Sequence, residues 1–125
     1  MKILIVFLCW VCVMYSAPLA EYYCTFGPTF CGQSTTDDTN SNATLVIMAF
    51  ANIASNGSII LDSANYPCSL VSQWQGEGKK VFLYIGGANA NWTPIFNTTQ
   101  GQANAISSIQ SILSQTGLNG IDLDI

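Results

Sequence analysis

The chain has 125 residues, half of them hydrophobic, with seven acidic and three basic side chains and a net charge of −4. This acidic balance provides no basic surface for phosphate groups, so nucleic acid is not an expected partner. The sequence contains no histidine, which excludes a Ser-His-Asp triad within it and removes the ligand of the commonest zinc sites; we expect no metal and no cofactor.

The amino-terminus has the pattern of a secretory leader. A positive start at Lys2 is followed by an uninterrupted apolar run over residues 3–15 and then by small residues. The run is shorter than the roughly 20 apolar residues that a membrane-spanning helix needs. We therefore predict a signal peptide over residues 1–20, cleaved between positions 16 and 20. The remaining domain, residues 21–125, is expected to be secreted, extracellular and free of the membrane.

Three cysteines follow the leader, Cys24, Cys31 and Cys68. In a secreted chain they are expected to form disulfides. Cys24 and Cys31 are close enough in sequence to close a small loop, which would leave Cys68 with a partner beyond residue 125. A free buried thiol is the alternative for the odd cysteine.

Four N-glycosylation sequons accompany the leader. They begin at Asn42, Asn56, Asn91 and Asn97. Their density favours a eukaryotic protein that passes through a glycosylating secretory route.

The first predicted elements are strands. A short strand at residues 22–25 precedes a turn-rich segment, and a dense apolar run at residues 44–50 predicts a strand that is buried on both faces of a parallel sheet. A helix is expected over residues 64–75, with Asp62 or Ser63 as its cap.

The second half of the chain continues this alternation. A strand is predicted over residues 81–85, and the clearest helix follows and ends at Gly117. The predicted apolar face of that helix consists of Ala103, Ile106, Ile109, Ile112 and Leu113. A last strand begins at residue 121.

Strands that alternate with helices predict an α/β fold with a parallel sheet, either doubly wound or closed into a barrel. Four strands are too few for a barrel, which needs about eight strands and roughly 250 residues. They would also leave two long apolar edges unpaired. We therefore expect the sequence to be part of a longer chain.

Two acids stand in the last predicted strand. Asp122 and Asp124 are two positions apart and share one face, while the hydrophobic residues between and beside them share the other. If the hydrophobic face packs on helices, both carboxylates point to the interior, about 6–7 Å apart. Two such groups repel when both are ionised, so one should hold a proton or share it. Exposed acids at a strand end, or a metal-binding pair, are the alternatives.

Small, polar and aromatic residues stand near the other strand ends. Asn52 follows the second strand, and Gly86 and Gly87 follow the third. The glycines are either turn residues or positions where a ligand or a neighbouring backbone approaches closely. Four aromatic side chains are candidates for stacking on sugar rings, with core packing as the alternative for each: Phe50, Tyr84, Trp92 and Phe96.

Three segments resemble motifs of glycoside hydrolase family 18, the chitinase-like proteins. KVFLYIGG at residues 80–87 resembles the third-strand motif, and NGIDLDI at residues 119–125 resembles the fourth-strand DGxDxDxE signature. AFANI at residues 49–53 looks like the second strand. The motifs occur in the family's order. The resemblance implies the N-terminal half of a (β/α)8 TIM barrel that is cut just before the expected catalytic glutamate.

The resemblance also implies a reaction, the hydrolysis of chitin or chito-oligosaccharides with retention of configuration by substrate-assisted catalysis. Asp124 would orient and polarise the substrate's acetamido group, and Asp122 would exchange a proton or hydrogen bond with it. The general acid would be a glutamate directly after Ile125. Residues expected to bind substrate are Phe50, Gly86, Gly87 and Trp92. Residues expected to support the site are Asn119 and Tyr84.

Two positions depart from the family pattern. Asn119 stands where the signature has its first Asp, and Tyr84 stands where the SxGG motif has Ser. These departures leave a catalytically inactive chitinase-like lectin as an alternative. An endo-β-N-acetylglucosaminidase acting on N-glycans and an unrelated sugar-cleaving barrel are the others. A Glu after Ile125 would favour an enzyme.

The expected partner is chitin or another N-acetylglucosamine-containing glycan, bound by a monomer. The sequence alone lacks the acid and half of the barrel. It is therefore expected to be inactive by itself.

Overall fold

The computed structural model describes residues 18–25 and 42–125. The predicted leader up to residue 17 and Cys31 lie outside these ranges, and within them the side chain of Phe50 is not described. The elements are β1 (Ala20–Cys24), β2 (Leu45–Ile53), β3 (Ile59–Leu61), α1 (Cys68–Gly76), β4 (Lys80–Gly86), α2 (Thr93–Phe96), α3 (Thr99–Thr116) and β5 (Gly120–Asp124). In the described part, no helix is both long and apolar enough to cross a membrane.

The sheet has the parallel order β1-β2-β4-β5, and β3 pairs antiparallel with β2. The parallel strands confirm the fold class that the alternation predicts. The sequence did not predict β3. In the turn that leads into it, Gly57 has a positive φ of 87° and its N–H donates to the carbonyl of Ala54 at 2.9 Å. The three residues of β3 are too few to give a detectable period.

A β-bulge interrupts β2. Ala49 pairs with Tyr84 of β4, but Ala51 pairs with Ile85, so β2 holds one residue more than its partner between these two positions. An extra residue reverses the side to which the following side chains point. Ala51 accordingly faces the helices and joins the buried core, whereas Ala49 lies on the other face of the sheet.

The core lies between the sheet and the helices. Along β4 every second residue is buried, and Val81, Leu83 and Ile85 are at most 1% exposed. Trp74 of α1 is fully buried against them, and its ring meets that of Tyr23 edge-on with the centroids 4.9 Å apart. The helices therefore cover one face of the sheet and leave the other face to the site.

Helix α1 begins four residues later than the sequence predicts. It starts at Cys68, with Pro67 at the N-cap and no side-chain capping bond, so the predicted cap at Asp62 or Ser63 is wrong. The residue before a proline is disfavoured in helical conformation, which prevents the helix from extending back through Tyr66. Asp62 instead closes a turn, accepting a hydrogen bond from the N–H of Ala64 at 3.1 Å.

Helix α3 ends as predicted, with Gly117 in the left-handed conformation at φ 69°. Its predicted apolar face is partly wrong, because Ile106 is 59% exposed while Ile112 is 9% exposed. Residues three positions apart on an α-helix differ by about 60° around its axis. The predicted row, which begins at Ala103 and continues in steps of three, therefore does not stay on one face. The buried face follows steps of four through the small residues Gly101 and Ala105.

The two isoleucines of α3 give a matched test of this buried face. Ile112→Ala should lower the free energy of unfolding by about 2–5 kcal/mol, because it leaves a cavity in the core. Ile106→Ala makes the same chemical change at an exposed position and should cost within about 0.5 kcal/mol. Urea unfolding of the two variants checks the difference. Equal losses would contradict the assignment.

Candidate active site

The carboxylates of β5 lie on the face of the sheet that the helices leave uncovered. Asp122 pairs with Tyr84 of β4, and Asp124 pairs with Gly86. Paired residues on neighbouring strands point to the same side, and the core residues of β4 alternate with these positions. Of the hydrophobic residues expected on the other face, Ile121 packs against the core, whereas Leu123 is 48% exposed in the described part of the chain.

The sheet curves toward this face. Three strand spacings separate β1 from β5, about 14 Å in a flat sheet. Nevertheless the hydroxyl of Tyr22 in β1 donates a hydrogen bond to Oδ2 of Asp122 in β5 at 3.0 Å. Two side chains can bridge strands so far apart only across a concave surface. The acids therefore lie on the inner wall of a partly closed barrel.

Each carboxylate accepts a hydrogen bond from its own tyrosine. Tyr22 binds Asp122, and the hydroxyl of Tyr84 donates to Oδ2 of Asp124. The two phenol rings meet edge-on, with centroids 5.7 Å apart and an interplanar angle of 85°. The sequence predicted an exchange between the two acids but not these donors. Tyr22 was missed as a site residue. Neighbouring residues of a strand point to opposite sides, so Tyr22 faces away from the core in which Tyr23 is buried.

These contacts change the acidity of both phenols. The hydrogen bond to the Asp124 carboxylate, with smaller effects of burial and of the nearby negative charge, raises the pKa of Tyr84 to about 12. The hydrogen bond to Asp122 and partial desolvation also raise the pKa of Tyr22. A phenolate beside a carboxylate would bring two negative charges together. Both tyrosines therefore remain neutral donors at physiological pH.

The glycine pair lets the end of β5 approach β4. Gly86 has a φ of 122°, and a Cβ atom there would collide with the carbonyl oxygen of Asp124. That oxygen accepts hydrogen bonds from the N–H of Gly87 at 3.2 Å and from the indole Nε1 of Trp92 at 3.1 Å. Of the two functional interpretations of the glycines, the structure supports the close approach of a neighbouring backbone at Gly86.

A cavity of about 520 Å³ opens beside these residues at the carboxyl ends of β2 and β4. Its wall includes Asn52, Tyr84, Gly86, Gly87, Asn89 and Asn91. In α/β barrels the working face is formed by the carboxyl ends of the strands and by the loops that follow them. The cavity therefore lies where a substrate is expected to bind.

Trp92 and Phe96 form a separate aromatic pair. Their rings are stacked with centroids 5.7 Å apart, and Phe96 is 53% exposed. Trp92 also packs against the core and uses its N–H to hold Asp124. The predicted substrate-binding residue Trp92 is thus placed next to the site through the backbone of β5.

Asn119 lies at the opposite end of β5. Its Oδ1 accepts a hydrogen bond from the N–H of Val81 at 2.9 Å, and its own N–H donates to the carbonyl of Val81 at 2.8 Å. These bonds hold the start of β5 against β4. The structure therefore places this predicted supporting residue at the amino-terminal edge of the sheet and does not bring it together with Asp124.

The predicted modification sites are all accessible where they are described. The four sequon asparagines are exposed, and Asn91 lines the cavity. Cys24 is disulfide-bonded, whereas Cys68 is free and exposed. The alternative of a free buried thiol at Cys68 is therefore wrong. Within residues 18–25 and 42–125, no group of three Cys, Asp or Glu side chains could hold a metal ion.

Comparison with known proteins gives one family match for the chain. The family model described as glycosyl hydrolases family 18 matches residues 13–125. No curated protein sequence matches the chain significantly. Among solved structures, a family GH18 chitinase from Chromobacterium violaceum is 29% identical with a TM-score of 0.67, and the match covers 86% of this chain and 30% of that one.

Two further solved structures are similar in fold. The chitinase domain of the spore coat protein CotE from Clostridium difficile is 23% identical with a TM-score of 0.69, over 90% of this chain and 31% of its own. Human YKL-39, described as a pseudo-chitinase with retained chitooligosaccharide binding, is 19% identical with a TM-score of 0.72, over 87% and 32%. The chain thus spans about a third of these structures. The predicted N-terminal half of a TIM barrel is confirmed as its fold.

Tyr84 should ionise late because of its bond to Asp124. Subtracting the ultraviolet titration of Tyr84→Phe from that of the unmodified protein isolates its phenolate absorbance, and the midpoint should lie near pH 12. The bond stabilises the fold fully below about pH 10, the pKa of a free tyrosine, and its contribution is lost as the pH rises through about 12. The same subtraction in an Asp124→Asn background should move the midpoint toward 10. A midpoint near 10 in both backgrounds would contradict the bond.

Proposed function

Because the chain belongs to glycosyl hydrolases family 18, we propose that it supplies the N-terminal half of the barrel of a secreted chitinase. The complete protein hydrolyses chitin or chito-oligosaccharides. The observation that carries the proposal is the placement of Asp122 and Asp124 on the concave face at the carboxyl end of β5, beside an open cavity. The TIM-barrel fold alone would not support it, because this fold serves many reactions.

The proposed reaction uses the substrate as its own nucleophile. The acetamido oxygen attacks the anomeric carbon while the glycosidic bond breaks, and the leaving oxygen takes a proton from a glutamate directly after Ile125. Asp124 orients the acetamido N–H and stabilises the positive charge of the intermediate. Asp122 lies one alternate position deeper on β5, where Tyr22 holds it. Water then opens the intermediate and returns the proton, with retention of configuration.

A glycan-binding function without hydrolysis is the second candidate. The observation in its favour is that two positions depart from the family motifs, with Tyr84 in place of Ser and Asn119 in place of Asp. Human YKL-39, which has the same fold, is described as a pseudo-chitinase that retains chitooligosaccharide binding. In that case the same cavity binds N-acetylglucosamine oligomers and releases them unchanged.

Hydrolysis of a soluble chito-oligosaccharide by the complete protein separates these functions. We expect products that are released as the β-anomer, which NMR detects before mutarotation. Asp124→Ala should lower turnover by about 100-fold or more, because the carboxylate acts mainly in the transition state. Asp62→Asn, which changes an acid that hydrogen-bonds within its own turn, serves as the control.

Unchanged turnover in Asp124→Ala would remove the role proposed for that residue. Binding without any product in the unmodified protein would favour the lectin. Cleavage of the chitobiose core of an N-glycan, but not of the free oligomer, would favour an endo-β-N-acetylglucosaminidase.

Secretion is also part of the proposal, and the contacts of Leu19 support a cleavage site on its amino-terminal side. The carbonyl of Leu19 accepts hydrogen bonds from the N–H groups of Thr44 at 2.9 Å and Leu45 at 3.2 Å. A cut after Leu19 would remove these bonds, and a cut after Ala20 would also remove the first residue of β1. We therefore expect amino-terminal sequencing of the secreted protein to give a first residue no later than Leu19. A mature chain that begins at Glu21 would contradict this.

A further inference from the structure

Tyr84 reaches an acid that is not its partner in the sheet. In register it stands opposite Asp122, but its hydroxyl donates to Asp124, one alternate position nearer the carboxyl end. The ring is braced edge-on by Tyr22. Gly87 leaves space for the hydroxyl, since a Cβ atom at Gly87 would lie 3.2 Å from it. Contacts with Asp124 and Tyr22, and the absence of a side chain at Gly87, thus all fit this placement of the phenol.

The Tyr84 hydroxyl stays protonated in this position and therefore always acts as a hydrogen-bond donor. Among the described residues, Asp124, Tyr22 and Asp122 each raise the pKa of Tyr84. It therefore keeps its proton throughout the pH range in which glycosidases work. A hydrogen bond to a charged acceptor is about twice as strong as one between neutral groups. The contact thus restrains the carboxylate without taking part in proton transfer.

This restraint leaves half of the carboxylate for the substrate. Tyr84 binds Oδ2 of Asp124, and in the proposed reaction Oδ1 accepts the acetamido N–H. The backbone of the same residue is fixed by Gly87 and Trp92. With both the carbonyl and one carboxylate oxygen held, the side chain is kept in one rotamer before substrate arrives. Such preorganisation lowers the barrier of the chemical step.

From this geometry we infer that Tyr84 is a positioning residue, which holds Asp124 in the rotamer that receives the substrate's acetamido group. The inference rests on the proposed function. It differs from the alternative in which the tyrosine only fills space under the cleft, because that role needs the ring but not the hydroxyl.

Tyr84→Phe removes the hydroxyl and keeps the ring, so it tests the positioning role directly. In the complete protein with a soluble chito-oligosaccharide, kcat should fall by about 10-fold or more while KM changes within about 2-fold. Tyr66→Phe is the matched control, because the Tyr66 hydroxyl contacts the carbonyl of Thr116 on the helix side of the sheet. Thermal unfolding of each variant verifies that it is folded.

A double-mutant cycle with Asp124→Asn identifies the route of the effect. If Tyr84 acts through Asp124, Tyr84→Phe causes no further loss in that background. An equal loss in both backgrounds, or a kcat of Tyr84→Phe equal to that of the unmodified protein, would overturn the inference and leave the proposed function standing. Absence of hydrolysis by the unmodified protein would instead overturn the proposed function.

Discussion

The site depends on the close approach of two backbones at the end of the sheet. The carbonyl of Asp124 lies where a side chain of Gly86 would be, and it accepts hydrogen bonds from Gly87 and from the indole of Trp92. Any side chain at Gly86 would push β5 away from β4 and would also require a left-handed φ that other residues rarely adopt. The position of the acids, and hence the chemistry available to them, follows from this single missing side chain.

The sequence predicted that one face of the sheet would carry the core and the other the two acids. The buried residues of β4 alternate with Tyr84 and Gly86, which pair with the two acids of β5, and a period of two can be recognised in a strand of this length. Helix faces were less predictable. The isoleucines of α3 suggested one face, but the buried face includes the small residues Gly101 and Ala105, and Gly101 lies against the backbones of Gly57 and Pro94. A list of apolar positions carries no information about how closely two elements can pack.

The site itself was predictable as a set of positions but not as a set of contacts. The family motifs identified Asp122, Asp124 and the glycine pair, whereas Tyr22 comes from a strand about a hundred residues away in the chain. Its contact depends on the curvature of the sheet, which no local pattern encodes. Asn119 shows the converse, because its place in the motif suggested proximity to the acids although it fastens the other end of the strand.

The bulge in β2 connects backbone irregularity to the composition of the cavity. Without the additional residue between Ala49 and Ala51, the strand would keep its phase, and Asn52 would turn toward the helices. With it, an alanine faces the helices and an amide reaches the cavity wall. The polarity of this wall thus depends on the change in strand phase at the bulge, which directs the side chain of Asn52 toward the cavity.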